Sequence, residues 1–280
     1  MPIRNLLVAF DGMKGGMSSL RLGLTLAAKH GAHVTGAFAY EGPRVLSAPS
    51  RLATRGLSRE FRNIADRIEA PEREAITRLF HEATEDRLPE DHLTWLDLKG
   101  RADTAITEIG RYFDLTLIGA SAATTDSSPH AARPDVVALR SGKPVLIVPG
   151  NWPEDRQVGH RVVVAWDGQR AAARALGDAI DLLSPFDEIS IVSVGLLESE
   201  DDFLARQLRF AIERHGMTPH FIIEKATRSV AKVITKVCEA GGADLLVMGA
   251  YEHSKFSEDL IGGTTNDILR DLRIPVLMAH

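Results

Sequence analysis

The 280-residue sequence is poor in cysteine, poor in aromatic residues and without a surplus of positive charge. Its single cysteine, Cys238, excludes an intrachain disulfide and any cysteine-based zinc site, which favours a reducing compartment. Lys and Arg number 33 against 38 Asp and Glu, so the formal net charge is −5 and a dedicated nucleic-acid surface is not expected. Aromatic residues make up 6%, and the three tryptophans lie too far apart in sequence to indicate a base-stacking platform.

Long hydrophobic runs are also missing. No apolar run approaches the ~18 residues that are needed to span a bilayer. The N-terminus enters a short apolar run without the charged leader and apolar core of a signal peptide. We therefore expect a cytoplasmic protein that has neither a membrane nor a nucleic acid as its partner.

The chain repeats itself in three places, in the same order. The matched segments are 5–12 with 161–168, 114–120 with 244–250, and 143–148 with 274–279. The spacing between matched residues shrinks by about 25 from the first match to the later ones, which places extra residues in the first copy, within about 41–70. We therefore predict two copies of one domain, residues 1–149 (the first half) and 160–280 (the second half). The segment between them holds two prolines and two glycines in positions 149–159 and is predicted to be a linker.

Each half alternates strand and helix patterns. The short apolar runs Leu6–Phe10 and Val162–Trp166 are typical of strands that are buried on both faces. Ala172, Leu176 and Ile180 then fall on one face of a helix. Further strands are predicted at 32–40, 92–98, 188–195, 220–225, 245–249 and 275–279, and further helices at 72–83, 202–215, 230–238 and 266–272. This alternation predicts a parallel sheet with helices on both faces and right-handed crossovers.

Ligands of such sheets bind beyond the carboxyl ends of the strands, where the strand order reverses. Asp11 and Asp167 end the first strand of each half, and Gly249 ends the fourth strand of the second half. A Gly262-Gly263-Thr264-Thr265 turn then leads into a predicted helix. Its free N–H groups and hydroxyls favour a phosphate. The alternative is a glycine turn with a threonine cap that serves structure alone.

These motifs resemble the universal stress protein family, and the whole chain is similar to a tandem member with two copies of that domain. The family's nucleotide motif is Gly-x2-Gly-x9-Gly-Ser/Thr after the fourth strand. Gly249 and Gly262 keep its spacing, and the strand-end aspartates also fit. The resemblance covers nearly all of 1–280 except the extra segment at 41–70. It implies two tandem doubly wound α/β domains, each a five-stranded, mostly parallel sheet, Rossmann-like and similar to adenine nucleotide alpha hydrolases.

The resemblance also implies roles for matching positions. Asp167 would lie beside the adenine and ribose, and Val194 would lie near the base at the end of the second strand. The phosphates would be surrounded by Gly249, Gly262, Gly263, Thr264 and Thr265. The two halves would form an intramolecular pseudo-dimer in place of the family's usual dimer, with their fifth strands meeting because an unpaired apolar edge invites pairing. The sequence does not decide whether the fused chain pairs again as a homodimer.

Both halves depart from the motif. Glu252 replaces its second glycine, and a carboxylate near phosphates would cost on the order of 1 kcal/mol. Lys255 is either an offset to that charge or a solvated loop residue. We therefore expect weak or selective nucleotide binding in the second half. After Gly119 the first half has no glycine turn, and Pro129 and Pro134 are expected to stiffen a polar loop, so this half is predicted to have lost the phosphate cradle. Its role is then structural, or it holds a different ligand.

Other candidate chemistry is sparse. The 10 histidines show no His-Glu-x-x-His spacing, so no metal site is expected. Cys238 lies on the apolar stripe of a predicted helix and is expected to be buried and inert. Six arginines in the 41–70 segment are interpreted as solvated residues of a helix or loop. The alternative is that they form a basic face that binds an anionic partner. They are Arg44, Arg51, Arg55, Arg59, Arg62 and Arg67.

The expected function is therefore that of a non-enzymatic stress-response protein, whose second half binds ATP or another adenine nucleotide with Mg²⁺. One alternative is a slow ATP hydrolase or phosphotransferase on the same scaffold, although no general base is evident. A second is a nucleotide-independent signalling module. A receiver-like phosphoacceptor would need an acidic cluster beside Asp11 or Asp167, and the sequence shows none.

Overall fold

The computed structural model describes residues 3–41, 57–120, 128, 130–227, 229–250 and 263–280. Within them, strands and helices alternate through both halves. The strands are β1 Asn5–Ala9, β2 His33–Tyr40, β3 Leu93–Lys99, β4 Leu115–Ala120, β5 Val145–Pro149, β6 Arg161–Ala165, β7 Glu188–Val194, β8 Pro219–Glu224, β9 Leu245–Gly249 and β10 Val276–Ala279. The helices are α1 Lys14–His30, α2 Leu57–Thr84, α3 Ala102–Gly110, α4 Pro134–Ser141, α5 Arg170–Leu183, α6 Phe203–Glu213, α7 Val230–Gly241 and α8 Gly263–Arg270.

All these strands join one sheet, in the order β3-β2-β1-β4-β5-β10-β9-β6-β7-β8. Each half supplies five parallel strands, and the strand order reverses between β1 and β4 and again between β6 and β9. The halves meet where β5 and β10 pair antiparallel. The predicted α/β class and the predicted meeting of the fifth strands are therefore confirmed.

Helices cover both faces of the sheet because each carries one apolar stripe. Buried residues of α1, α5 and α6 pack on one face, together with Phe80 of α2. Buried residues of α3, α4, α7 and α8 pack on the other. Both apolar layers contain residues of both halves, so they run without a break across β5 and β10. The domain boundaries at 149 and 160 thus stay a prediction, since the halves share one sheet and continuous apolar layers.

Two predicted element boundaries differ from the structure. Helix α2 begins at Leu57 and not at residue 72, so part of the extra segment is helical. Its Pro71 lies inside the helix, although proline is usually confined to the first turn of a helix. Helix α8 begins at Gly263 and not at residue 266, so the predicted glycine turn is partly the first turn of the helix. No helix of the described residues is long and apolar enough to cross a membrane.

An aspartate just before β4 or β9 fixes the start of the first strand in each half. In the first half, Asp114 accepts hydrogen bonds from the backbone N–H groups of Arg4 and Asn5, at 2.8 and 2.9 Å. In the second half, buried Asp244 accepts from Gly159 at 2.7 Å and from Arg161 at 3.0 Å. The repeated Asp-Leu pair in the sequence thus encodes a structural clamp at the end of the sheet opposite the candidate sites.

We expect Asp244→Ala to lower the free energy of unfolding by about 3 kcal/mol, because it leaves buried N–H donors without their charged acceptor. Denaturant unfolding of the full chain measures this loss. Asp271→Ala is the control, since Asp271 lies on the surface and is 65% exposed. Surface ion pairs of this kind contribute at most about 1 kcal/mol. Equal losses in the two variants would show that the hydrogen bonds of Asp244 do not stabilise the start of β6.

Cys238 is buried in α7, as predicted. Burial raises the pKa of its thiol to about 12 from the ordinary value of 9.0. The Cys238 thiol therefore ionises at a lower pH in the unfolded chain than in the folded chain. Burial of the protonated thiol stabilises the folded state fully below pH 9, and this stabilisation is lost as the pH rises towards 12.

Because the thiolate is the reactive form, we expect Cys238 in the native chain to resist a thiol reagent at pH 8 and to react promptly in denaturant. Absorbance of the released chromophore follows the reaction, and no other cysteine interferes. Prompt reaction of the folded chain would show that the thiol is accessible.

Candidate functional site

The two points where the strand order reverses carry the same turn. Asp11 follows β1 and accepts a hydrogen bond from the N–H of Met13 at 3.0 Å. Asp167 follows β6 and accepts one from the N–H of Gln169, also at 3.0 Å. The glycine after each aspartate has a positive φ, 73° in the first half and 75° in the second. The sequence repeat therefore encodes the same Asp-Gly turn in both halves, and this turn places a carboxylate at the carboxyl edge of the sheet.

A glycine at or next to the end of the fourth strand of each half packs against the first helix of that half. A Cβ on Gly119 of β4 would clash with the backbone of Gly15 and Gly16 in α1. A Cβ on Gly249 of β9 would lie 2.7 Å from the backbone N of Ala172 in α5. Both glycines therefore let the first helix of their half pack closely on the strand. This packing role is the alternative to the ligand role that the motif spacing indicates for Gly249.

In the second half, the predicted residues come from four elements that meet at one edge. Asp167 lies exposed after β6, Val194 is the last residue of the neighbouring β7, and Gly249 is the last residue of β9. Helix α8 follows β9 and leads into the parallel strand β10, so its first residues lie at the same edge. Gly262, Glu252 and Lys255 lie outside the described residues.

The first turn of α8 has the character of an anion site. Its first three residues are Gly263, Thr264 and Thr265, and no acidic residue lies in this turn. Thr265 is buried and Thr264 half-buried. A Cβ on Gly263 would meet no described atom within 4 Å. N–H groups at a helix start, two hydroxyls and the helix dipole together favour a phosphate.

A pair of side chains at this edge was not foreseen from the sequence. The Nδ1 of His280 lies 2.6 Å from the carbonyl oxygen of Ala250, and its Nε2 lies 3.3 Å from Nη2 of Arg170. One arrangement satisfies both contacts: Nδ1–H donates to the carbonyl, and Nε2 accepts from the guanidinium. Through His280, the exposed guanidinium of Arg170 at the start of α5 is linked to Ala250, the residue after Gly249. No local pattern signals it, because the partners are 110 residues apart.

The cleft beside Asp11 in the first half has little free space among the described residues. Only about 30 Å³ remains beside Asp11, room for about one water. The imidazole of His130 takes part in filling it. Burial raises the pKa of Asp11 above its ordinary value, against the N–H of Met13 and the nearby His130, which lower it. Asp11 is half-buried, whereas Asp167 is exposed.

The start of α4 also differs from the start of α8, its counterpart. The backbone N–H of Arg133, before the helix, donates to Asp103 at 2.7 Å. Asp135 lies buried in the first turn and accepts from the Arg133 guanidinium, also at 2.7 Å. The start of α4 is thus occupied by the carboxylates of Asp103 and Asp135, whereas the start of α8 has glycine and threonine. The expected stiffening of a loop by Pro134 is wrong, because Pro134 is the first residue of α4, a position that suits its fixed φ. Pro129 lies outside the described residues.

A larger cavity of about 570 Å³ lies between the halves, bordered by α3, α4 and α8. Two pairs of its charged side chains are in contact: Arg101 lies 3.7 Å from Glu41, and Arg133 contacts Asp135. The sequence predicted no site there. Among the described residues, no group of three or more His, Cys, Asp or Glu side chains is arranged to hold a metal ion.

Residues 159–280 match the model of the universal stress protein family. This half of the chain therefore carries a universal stress protein domain. The match begins beside β6 and ends after β10, so it contains every predicted site residue. The tandem form of the resemblance, with a second such domain in the first half, stays a prediction.

Known relatives agree with this assignment. Universal stress protein Slr1230 from Synechocystis is 28% identical over 141 residues, which cover 48% of this chain and 46% of the relative. The match thus spans about half the length of that curated relative. A universal stress protein from Archaeoglobus fulgidus has a crystal structure with a TM-score of 0.66 and 17% identity, covering 98% of this chain and 97% of that one.

A second solved structure, the functionally unknown protein PA1789 from Pseudomonas aeruginosa, has a TM-score of 0.54 and 17% identity. It covers 99% of this chain and 92% of its own. At these identities the two structures show the fold alone, and they show it over the full length of the chain.

Proposed function

We propose that this chain is a tandem universal stress protein whose second half binds an adenine nucleotide and does not turn it over. The observation that carries the proposal is the start of α8, where Gly263, Thr264 and Thr265 offer an anion site at the sheet edge where β6 and β9 diverge. That edge is where ligands of doubly wound sheets bind. The family match of the same residues supports it.

Each residue at the edge fits one part of a nucleotide. Exposed Asp167 after β6 would accept hydrogen bonds from ribose hydroxyls, and Val194 at the end of β7 would lie against the base. The N–H groups of α8 and the hydroxyls of Thr264 and Thr265 would hold the phosphates, with Gly249 and Gly262 leaving room. Arg170 adds a positive charge on the facing helix start. Mg²⁺ would enter with the triphosphate, held by phosphate oxygens.

Binding should be weak, because Glu252 puts a carboxylate where the family motif has glycine. Repulsion on the order of 1 kcal/mol or more corresponds to a loss of affinity of at least several-fold. The physiological role would then be to sense or carry a nucleotide that is abundant in the cell, in a cytoplasmic stress response, with the two halves acting as an intramolecular pseudo-dimer.

The test is isothermal titration of the full chain with Mg²⁺ and ATP, AMP or ADP. Asp167→Ala should weaken binding at least about tenfold, since it removes a charged hydrogen-bond partner. Asp11→Ala is the matched control, because it removes the equivalent carboxylate and the same turn bond from the first half. Glu252→Gly should tighten binding.

Three outcomes would contradict the proposal in different ways. Undetectable binding, together with no nucleotide in a mass spectrum of the freshly denatured protein, would favour a nucleotide-independent module. Equal effects of Asp11→Ala and Asp167→Ala would place the site elsewhere. Single-turnover ATP hydrolysis that Asp167→Ala abolishes would favour the hydrolase alternative.

A further inference from the structure

Helix α6 carries large apolar side chains on the side that faces away from the sheet. Its buried residues Ala205, Leu208 and Ile212 pack on the sheet. On the opposite side of the helix, Phe203 is 63% exposed and Phe210 is 46% exposed. The exposed parts of the two residues amount to roughly 200 Å², a sizeable part of the about 300–600 Å² that the largest apolar patch of a monomer covers. Helix α6 is therefore apolar on two sides, which a helix that only covers a sheet does not need.

The corresponding helix of the first half shows that the fold does not require this second apolar side. Helix α2 follows the second strand of its half, as α6 does, and it packs on the same face of the sheet through Phe80. From residue 71 to the end of α2, the exposed positions are Pro71, Glu72, Glu74, Ala75, Arg78, His81 and Glu82. This described part of α2 thus exposes no large apolar side chain. The exposed phenylalanines of α6 belong to the second half and not to the repeated fold.

The exposed stripe of α6 has the spacing with which two helices pack side by side. Its positions follow one another at intervals of four, three and four residues: Phe203, Gln207, Phe210 and Arg214. This is the alternation of the a and d positions of a helix pair. Arg206 and Glu213 flank the stripe on one side, because residues seven apart share a helix face. A second helix can therefore lie along this stripe.

The charges along the stripe make α6 complementary to a second copy of itself. When two copies of α6 lie antiparallel about a twofold axis, every contact occurs twice. With the axis at the middle of the stripe, Phe203 of each copy faces the Arg214 guanidinium of the other, an arrangement that favours a cation–π contact. Arg206 of each copy then lies beside Glu213 of the other. Among the described residues, none of these three charged side chains forms an ion pair within the chain, so all are available for a second copy.

The segment before α6 favours a second copy over an anionic lipid surface. It holds four acidic residues, Glu198, Glu200, Asp201 and Asp202. An anionic surface would repel this segment, although it would attract the arginines of the helix. In the antiparallel pair, the acidic segment of one copy instead lies near Arg214, at the C-terminal end of the other copy's helix. Opposite charges at the two ends of one helix thus support antiparallel self-association.

We propose that α6 is the surface through which two copies of this chain associate, as an antiparallel helix pair about a twofold axis. This contact is separate from the pairing of β5 with β10, which joins the halves within one chain. Because the 11 residues of α6 span only about 16 Å, the contact is smaller than a standard interface of about 1,600 Å². We therefore expect a reversible dimer with a dissociation constant above about 10 µM. The inference does not depend on nucleotide binding.

The first test is sedimentation equilibrium of the full chain, at concentrations below and above this dissociation constant. The wild type should change from monomer to dimer. Phe210→Glu should weaken association at least about tenfold, because it places a carboxylate in the apolar stripe. Tyr112→Glu is the matched control, since Tyr112 is 79% exposed but lies after α3, and it should associate as the wild type does. A wild type that stays monomeric, or equal association of the wild type and Phe210→Glu, would overturn the proposal.

Exchange of the flanking charges tests the antiparallel arrangement itself. Arg206→Glu and Glu213→Arg should each weaken association several-fold, because each places like charges side by side at two points of the dimer. The double variant should restore association to within about twofold of the wild type, since the opposite charges then face each other again. A double variant as weak as the single ones would exclude this pairing of α6. Binding of a monomeric chain to phosphatidylserine vesicles, in place of self-association, would assign the stripe to a lipid surface.

Stability measurements distinguish a contact between copies from a contact within one chain. Below the dissociation constant, denaturant unfolding of Phe210→Glu and of both charge variants should have the same midpoint as that of the wild type, because the changed side chains face solvent in the monomer. A clear loss of stability in Phe210→Glu at that concentration would show that another segment of the same chain covers α6. The proposal of a second copy would then be wrong.

Discussion

Leu277→Asp should unfold the whole chain or reduce its free energy of unfolding by more than 4 kcal/mol. Leu277 lies in β10 opposite Leu146 of β5, at the antiparallel pair that joins the two halves, and both side chains are fully buried. Both side chains belong to one buried hydrophobic cluster, so the new carboxylate would lie among apolar side chains. Total stabilities of 5–15 kcal/mol leave little margin for such a loss.

Two milder variants measure the same contact. Leu277→Ala and Leu146→Ala should each cost about 3 kcal/mol, and the double variant less than their sum, because the two residues share one interface. Leu204→Asp is the control, since Leu204 is 55% exposed on α6. Denaturant unfolding followed by fluorescence and by circular dichroism should give coincident transitions. Two separate transitions, with the first half undisturbed by Leu277→Asp, would show that the halves fold independently.

The sequence predicts the central strands of the sheet well because they are buried on both faces. Continuous runs such as Leu245–Gly249 leave no alternative to a central strand, and the structure has the same bounds. The pairing of β5 with β10 follows from the same physics, since an apolar edge strand needs a partner. Helix α2 shows the limit of local rules: the sequence pattern predicts a helix at 72–83, but the helix begins at Leu57 and holds Pro71 inside it.

The candidate sites are less predictable, because single side chains decide them over long separations. Asp11 and Asp167 have the same local sequence and the same turn, yet one is half-buried and the other exposed. His130 borders the cleft beside Asp11, and neither it nor the carboxylates at the start of α4 belong to a periodic pattern or a motif in the sequence. No pattern in the sequence predicts the contact of Arg170 with His280 either.

Glycine motifs pose a particular difficulty, because close packing and ligand approach require the same residue. Gly249 has a described packing partner in α5, whereas Gly263 has none within 4 Å. The spacing of the motif in the sequence does not distinguish them. Substitution does, because a packing glycine and a ligand glycine should fail in different measurements.

Gly119→Ala should lower the free energy of unfolding by about 3 kcal/mol, because the new methyl group would meet rigid helix backbone that cannot rotate away. Gly249→Ala should destabilise for the same reason, somewhat less since its nearest contact is 2.7 Å. Gly263→Ala should leave stability unchanged or raise it by up to about 1 kcal/mol, because alanine favours the helix. Denaturant unfolding of the three variants makes the comparison.

Nucleotide affinity should follow the opposite order in the variants of the second half. Gly263→Ala places a methyl group at the exposed first residue of α8, where phosphates would approach, so titration should show a several-fold loss of affinity in a fully stable protein. Gly249→Ala should bind normally at temperatures where it remains folded. If Gly263→Ala bound as the wild type does and Gly249→Ala alone lost affinity, the phosphates would lie at the end of β9 and not at the start of α8.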